Sequence, residues 1–270
     1  MAKPDGKSEK KSAEKQDGGS AQPPAANLPL FYGHPEPLDA KKHSELSLKR
    51  NFGFEFSNTA NAVPVNLIEM AQVAEAYPIA FSPDGNATPV AILGLRDNEN
   101  LFVDSRGQWH KNTYIPAYIR RYPFIFSEMP SKDQLTLCVD LSDEVVEKGS
   151  DRPFFEEDGS PSQLSKDALE FCKSYHAAAQ QTLAFSKALV EKDLLVDPRG
   201  VRIELPGNRV INFSGFRIID QKKLDALDEK TFLEWRKNGW LPYIYAHLFS
   251  GSKWHLLSQL LSERLEKEAA

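Results

Sequence analysis

The sequence predicts an α+β protein with a β-rich N-terminal half, a long central amphipathic helix, and a β-hairpin followed by helices at the C-terminal end. Two changes of pattern along the chain predict this order. Between Leu28 and Leu141 the apolar residues form short runs that end at turn signals, which is typical of strands. From Leu164 to Leu189 the apolar residues recur every three or four positions, which is the spacing of an amphipathic helix.

Short apolar runs predict the strands of the N-terminal half. The three phenylalanines of segment 52–56 alternate with smaller or polar residues, so we expect a half-buried strand there. Tyr77–Phe81 is apolar and is followed by an Asp-Gly turn, and Pro89–Leu95 is typical of a buried strand. The turn at residues 97–100 predicts a hairpin over Leu93–Val103. Further strands are expected at Leu101–Val103, Phe124–Phe126 and Leu135–Leu141.

Helical signals appear once in the first half and dominate the second. Ile115–Tyr122 has a proline as its second residue, which suits the first turn of a short helix. The central helix over Leu164–Leu189 would be roughly 40 Å long at about 1.5 Å per residue. The turn Pro206-Gly207-Asn208 then predicts a hairpin between Val201–Leu205 and Val210–Ile219. Three more helices are expected, over Leu224–Lys237, Pro242–Phe249 and Ser252–Glu268.

Composition shifts divide the chain into a tail and a single domain. Residues 1–27 contain five lysines and four acidic residues but no aromatic or β-branched residue, so we expect them to be disordered. Residues 28–270 are expected to form one domain. Within it, lobes 28–141 and 163–270 would be joined by the acidic, turn-rich loop 142–162.

Charge and hydropathy exclude several classes of protein. The 33 basic and 38 acidic residues give a net charge of −5, which argues against nucleic acid as a partner. No segment has the roughly 20 apolar residues that a membrane span needs, and residues 1–27 lack the apolar stretch of a secretory signal. We therefore expect a soluble, cytoplasmic protein.

No complete catalytic or cofactor motif is present in the sequence. The six histidines and two cysteines have none of the local spacings typical of zinc sites, so no metal is expected; the alternative is a site that the fold assembles from distant segments. The nucleophile-elbow motif G-x-S-x-G and the dinucleotide motif G-x-G-x-x-G are both absent, so we expect no serine-hydrolase chemistry and no cofactor. Cys138 and Cys172 are interpreted as small core residues.

One polar and aromatic cluster has the composition of a ligand site. Arginine offers a planar fork of donors for a carboxylate or phosphate, and tyrosine and tryptophan supply rigid contact area. The alternative interpretation is structural: Arg96 or Arg120 would pair with Asp104 or Asp97 to hold loops, and the aromatic residues would lie in the core. The candidate ligand-binding residues are Arg96, Asp104, Trp109, Tyr114, Arg120, Arg121 and Tyr122.

Three stretches of the chain resemble the SapC family of bacterial proteins, over about residues 31–257. The first stretch combines Asn61–Val65 with Ala76–Phe81. The second, which is the longest, combines Pro89–Arg96 and Glu99–Asp104 with Gly107, Trp109 and Tyr114–Phe124. The third combines Phe154–Gly159, Ser214-Gly215-Phe216 and Ile244–Leu248.

The resemblance implies a role near the cell surface but provides no catalytic residues. The name of the family reflects an association with paracrystalline surface layers. Its members are often described as encoded near outer-membrane receptors and flavin-dependent halogenase-like proteins. The peptide-transporter permease that shares the name spans membranes and is a different protein.

Two hypotheses for function follow. The first is a non-catalytic accessory or binding protein in a surface-layer or outer-membrane uptake pathway, with a protein partner or a second copy of itself. The apolar stripe of the last helix, which includes Trp254, Leu257 and Leu261, would dock on its own domain or on a partner. The second is an enzyme, or an enzyme component, whose site is assembled from scattered residues and binds a small anionic ligand.

Overall fold

The computed structural model describes residues 28–50, 52–129, 134–149, 151–205 and 209–269. Residues from Phe31 onward form one compact unit. About 40% of the chain is helical and 21% is in strands, and most strands precede the long central helix, so the predicted α+β class is confirmed. The tail predicted to be disordered, residues 1–27, lies outside the described residues.

The elements are numbered in chain order. The strands are β1 (Pro35–Pro37), β2 (Leu46–Leu48), β3 (Ala62–Pro64), β4 (Ile79–Phe81), β5 (Pro89–Ile92), β6 (Phe124–Met129), β7 (Gln134–Asp140), β8 (Val146–Lys148), β9 (Leu195–Val196), β10 (Val201–Leu205), β11 (Arg209–Phe213) and β12 (Ile218–Ile219). The α-helices are α1 (Ala40–His43), α2 (Met70–Ala74), α3 (Ala117–Arg121), α4 (Gln163–Glu191), α5 (Gln221–Asp225), α6 (Glu229–Lys237), α7 (Leu241–Ser250) and α8 (Trp254–Ala269). Single 3₁₀ turns cover Glu55–Ser57, Leu67–Glu69 and Gly251–Lys253.

The strands form small antiparallel sheets. Among the described residues, two sheets have three strands each, in the orders β3-β5-β4 and β1-β7-β6, and three sheets are pairs: β2-β8, β10-β11 and β12-β9. Most of these strands have only two to five residues, so main-chain pairing alone holds little of the fold. Side-chain packing must therefore supply most of the stability.

Helix α4 connects two hydrophobic clusters. Ser162 caps its first turn by accepting a hydrogen bond from the Ser165 backbone N–H (3.3 Å). Cys172 packs into a smaller cluster around the β1-β7-β6 sheet, whereas Phe185 and Leu189 pack into the main cluster around the β3-β5-β4 sheet. With 29 residues, α4 is long enough to reach both clusters.

Helix α7 covers the outer edge of β4. The Ile79 backbone N–H donates to Ser250 Oγ (2.9 Å), and the Ile79 carbonyl lies 2.9 Å from His247 Nδ1. His247 Nε2 in turn accepts from the Ile219 backbone N–H (3.1 Å). The two α7 side chains thus satisfy main-chain groups that an uncovered strand edge would leave unpaired. His247 is buried, and both of its ring nitrogens contact main-chain groups at hydrogen-bond distance.

Several predicted elements match the structure closely. The central helix, α3, β4, β6, β7 and the hairpin of β10 with β11 all lie where the sequence places them. The hairpin turn at residues 206–208 lies outside the described residues. Among the described residues, no helix combines the length and the apolar content that a membrane crossing requires.

Two predicted strands are wrong. Segment 52–56 leads into a 3₁₀ turn, because the Ser57 hydroxyl and backbone N–H both donate to the Phe54 carbonyl (2.8 and 2.9 Å). Leu101–Val103 is reduced to a single bridge between Val103 and Trp109. There the Asn100 side chain accepts from the Phe102 backbone N–H (2.9 Å), a local turn that competes with strand pairing.

Two predicted elements are shorter than expected. The strand over Val210–Ile219 ends at Phe213, and Gly215 adopts a φ of 84° before β12 pairs with β9 instead. The helix over Leu224–Lys237 is divided into α5 and α6, because the Asp228 carboxylate accepts from the Thr231 backbone N–H (2.9 Å) and caps a new helix.

Burial of His247 predicts an acid-sensitive fold. Burial lowers the pKa of His247 from about 6.5 to about 4, while its contact with the Ile79 carbonyl acts in the opposite direction. The unfolded chain therefore binds the proton more tightly than the folded protein does. The stability that neutral His247 contributes is present above pH 6.5 and is lost as the pH falls towards 4. We expect the free energy of unfolding in urea to fall by about 2 kcal/mol between pH 7.5 and pH 5.

The variant H247Q separates this effect from other titrations. It should be less stable at pH 7.5, because the hydrogen bond to the Ile79 carbonyl is lost, but its stability should change less with pH. The matched control H255Q replaces an exposed histidine and should keep the steep dependence of the natural protein. Equal pH dependence in all three proteins would contradict the assignment to His247.

Candidate functional site

A small cavity of about 130 Å³ opens between the middle of α4, the 3₁₀ turn before α2, and α3. It lies near the junction of the two hydrophobic clusters, because Tyr175 packs against the main cluster and Cys172, less than one turn away, belongs to the smaller one. Phe171 and Tyr175 are four residues apart and so share one face of α4. The lining residues are Asn66, Ile68, Glu69, Gln72, Tyr114, Ala117, Arg120, Phe171, Ser174 and Tyr175.

Glu69 is a buried carboxylate that three donors hold in place. Its Oε1 accepts from the Asn66 backbone N–H (3.1 Å), and its Oε2 accepts from the Tyr114 hydroxyl (2.9 Å) and the Ala117 backbone N–H (2.7 Å). A charge buried to this degree requires such partners. Glu69 thereby fixes the turn before α2 against the first residue of α3, so its role is to position these two elements.

Tyr114 links Glu69 to Arg120. While its hydroxyl donates to Glu69, the same oxygen accepts from Arg120 Nη2 (2.8 Å). Burial raises the pKa of Tyr114, and the nearby Glu69 charge raises it further. The phenol therefore stays protonated at neutral pH and keeps the direction of this hydrogen-bond chain fixed.

Arg120 lies at the cavity with its guanidinium held between aromatic rings. Its Cζ is 5.3 Å from the ring centre of Tyr114 and 5.3 Å from that of Phe171. Its Nε donates to the Ile115 carbonyl (3.0 Å). No carboxylate of the described residues lies within 4 Å of this guanidinium. Arg120 is therefore oriented but not neutralised by an ion pair.

Arg121 lies in a cage of three tyrosines, away from the cavity mouth. Its guanidinium carbon is 5.6 Å from the ring centre of Tyr32, 4.7 Å from that of Tyr118 and 4.5 Å from that of Tyr175. Burial acts to lower the pKa of Arg121, but the surrounding phenols together raise it above its usual value. The cage keeps this cation charged and joins the N-terminal segment to α3 and α4.

The other predicted site residues lie elsewhere. Arg96 Nε donates to Glu99 Oε2 (3.0 Å), and Arg96 Nη2 lies 3.2 Å from Glu268 Oε1. The Asp104 carboxylate accepts hydrogen bonds from backbone N–H groups of its own turn. Trp109 is buried and donates to the Tyr77 hydroxyl (3.1 Å). These residues have structural contacts, although Arg96 pairs with Glu99 and not with Asp97 or Asp104.

Tyr122 also belongs to the core. Its ring stacks on that of Phe56 with 4.2 Å between ring centres, inside an aromatic group that includes Phe31 and Phe52. Of the seven predicted residues, the structure therefore brings Tyr114 and Arg120 together at the cavity. Arg121 does not line the cavity, but its guanidinium contacts the ring of Tyr175, which does.

The other side of the cavity is not among the residues that the sequence predicts. Phe171 and Tyr175 belong to the apolar stripe of α4 and give no sign of their contact with Arg120. Asn66 and Glu69 have the spacing of a capping box, which is the one signal that could have identified them. Glu69 nonetheless pairs with residues 45 and 48 positions further along the chain, which no local pattern reports.

The histidine, cysteine and acidic side chains are dispersed in the described part of the chain, and both cysteines are buried. No group of three or more histidine, cysteine, aspartate or glutamate side chains there is placed to hold a metal ion. Cys138 and Cys172 are buried, and burial raises the pKa of Cys172 to about 11, so its thiol stays protonated.

The fold and the cavity define an α+β protein whose central helix forms one wall of a small polar site. Comparison with protein families finds a match to SapC over residues 38–257, which is well over half of the chain. The chain therefore belongs to the SapC family. No curated protein and no solved structure matches the chain.

Loss of the Glu69 charge should destabilise the site. In E69Q an amide N–H₂ would face donors that now reach a carboxylate, so we expect the free energy of unfolding to fall by about 2 kcal/mol. The matched control E75Q changes an exposed glutamate just after α2 and should unfold like the natural protein. Urea unfolding of both variants measures the difference, and equal stability would show that Glu69 does not hold these elements together.

Proposed function

We propose that this protein binds a small ligand that carries an anionic group, and that it does so as an accessory protein without a chemical step of its own. The observation that carries the proposal is the Arg120 guanidinium, which is oriented at a cavity without an ion-pair partner among the described residues. Carboxylates and phosphates are the groups that an arginine fork recognises.

The contacts of Arg120 favour tight recognition of a small group. Two aromatic rings and two hydrogen bonds already hold the side chain, so little conformational entropy is lost when a ligand binds. Its Nη1 has no hydrogen-bond partner among the described residues and is available as a donor. A volume of about 130 Å³ suits one anionic head group, since sites for whole drug-sized ligands are larger.

The bonding of the ionisable groups supports binding without catalysis. Both oxygens of Glu69 already accept hydrogen bonds from the protein, and Tyr114 is held protonated. A general base would need an oxygen directed at a substrate proton. The alternative, an enzyme or enzyme component, would use the same Arg120 to hold an anionic substrate and would need its reacting group from elsewhere.

The family resemblance provides the biological setting of the proposal. We propose that the protein acts in the bacterial cytoplasm as an accessory to a surface-layer or outer-membrane uptake pathway. A protein partner would then distinguish the protein with the anionic ligand bound from the protein without it. This setting rests on what the resemblance implies, and the ligand site rests on the geometry around Arg120.

Removal of Arg120 should abolish anion binding. Inorganic phosphate and succinate serve as probes in isothermal titration calorimetry at low salt, with the full chain. We expect saturable binding of at least one probe, weakened about tenfold or more in R120A and also weakened in R120K, which lacks the planar fork. The matched control R236A removes an exposed arginine on α6 and should bind normally. Unchanged affinity in R120A would refute the proposal.

A second candidate function, recognition of a protein partner, is favoured by an exposed apolar patch on α6 and α7. Phe249 is 73% exposed, and its ring stacks on Tyr245 with 6.3 Å between ring centres. Phe232 and Leu233 are also exposed and line the adjacent groove with Tyr245. Contiguous exposed apolar side chains of this kind are typical of interaction sites.

A photo-crosslinker at position 249 tests the partner function. When p-benzoylphenylalanine replaces Phe249 in the host cell, we expect one discrete crosslinked product, because a docked partner would cover this ring. The control position is Lys237, which is exposed at the end of α6 and is not one of the exposed apolar side chains of the patch. Equal or absent crosslinking at both positions would argue against a partner at this patch.

A further inference from the structure

Helix α6 has an exposed face on which an acidic and a basic residue flank two apolar side chains. Positions three, four and seven residues apart share one side of a helix. Thr231 and Trp235 are buried on the other side of α6, which packs against the domain. The residues of the exposed face, in chain order, are Glu229, Phe232, Leu233 and Arg236.

The order of these residues is symmetric about the centre of the face. Phe232 and Leu233 are central, and Glu229 and Arg236 lie equally far before and after the centre, each roughly 5 Å along the helix axis. If a second copy of α6 packs antiparallel about a twofold axis through this centre, each position meets its counterpart in the other copy. The apolar pair then covers the apolar pair, and Glu229 of each copy lies beside Arg236 of the other.

The charges and the apolar residues of this face both lack partners within the domain. Among the described residues, no oppositely charged side chain lies within 4 Å of Glu229 or Arg236. The helix dipole also favours an acid first and a base last, so the charges alone would not indicate a contact. Phe232 and Leu233, however, are 36% and 48% exposed, and the dipole gives no reason for this. Exposed apolar residues between unpaired charges of opposite sign are typical of a surface that meets a complementary one.

Aromatic rings of α7 extend the apolar part of this surface. Tyr245 lines the groove together with Phe232 and Leu233, and the ring of Phe249 stacks on that of Tyr245. The face of α6 alone is small for a stable contact, since standard interfaces cover about 800 Å² on each partner. In a twofold dimer each copy adds its own α7 rings, so the rings enlarge the interface on both sides of the axis.

We infer that the partner at this patch is a second copy of the same chain, held by antiparallel packing of α6 on α6. The inference rests on the second candidate function, recognition of a protein partner at this patch, and names that partner. A different protein would need complementary charges of its own, whereas a second copy has them in the required order. The dimer does not depend on Arg120, which lies at the cavity beside α4 and not in the α6 groove.

Sedimentation-velocity ultracentrifugation of the full chain measures the dimer directly. Because the interface is small, we expect a monomer–dimer equilibrium with a dissociation constant of about 10 µM. R120A should dimerise like the natural protein. A natural chain that stays monomeric at about 500 µM would overturn the inference.

Charge reversal tests the pairing of α6 with itself. In E229R and in R236E like charges would meet at both ends of the contact, so each variant alone should dimerise about tenfold more weakly, or weaker still. An equimolar mixture of the two variants should dimerise again, because one chain then carries two arginines and the other two glutamates. The matched control E234R reverses an exposed charge outside this face and should dimerise like the natural protein.

Recovery in the mixture would also show that both variants are folded, and circular dichroism of each variant measures this independently. Unchanged dimerisation in folded E229R and R236E would place the contact elsewhere and overturn the inference. Failure of the two folded variants to recover in the mixture would overturn it as well. If either variant does not fold, the crosslinker at position 249 carries the test.

The crosslinker at position 249 also separates the inference from the function on which it rests. We expect mass spectrometry of the crosslinked product to find two copies of this chain. A product that contains a different polypeptide would keep the partner function but overturn the inference. The absence of any product would contradict both.

Discussion

The apolar face of α4 packs against two hydrophobic clusters at the same time, and this constraint sets the position of most other elements. Leu189 and Phe185 fix one end of the helix against the β3-β5-β4 sheet, and Cys172 fixes the other part against the β1-β7-β6 sheet. The strands are too short to define the architecture by themselves. The Arg120 cavity lies along the middle of α4, so its wall depends on this one helix being held from both ends.

The fold class and the long elements could be predicted from the sequence because they have long, regular patterns. The spacing of apolar residues over α4 extends through seven turns, and the hairpin of β10 with β11 has alternation on both sides of its turn. Strands such as β1, β2 and β8 have three residues each, which is too few for a period to be recognised. Segment 142–162 looked like a connecting loop, yet it contains β8 and the fully buried Phe154.

The candidate site could be predicted only in part, and the two adjacent arginines show why. Neighbouring residues on a helix point about 100° apart, so Arg120 reaches the cavity while Arg121 enters the tyrosine cage. Composition identified both but could not assign them to different surroundings. Glu69 was missed because its partners are distant in sequence, and a lone glutamate near a helix start is usually exposed.

The tyrosine cage has a consequence for how the molecule responds to its solvent. A cation held by carboxylates is released when acid protonates them, but phenols carry no charge to lose at low pH. Burial raises the pKa values of Tyr32 and Tyr175, and Arg121 stays charged, so these three groups keep their protonation from acid to mild alkali. The contact of Arg121 with Tyr32 and Tyr175, which joins the N-terminal segment to α4, is therefore insensitive to acid, whereas the buried His247 makes the packing of α7 sensitive to it.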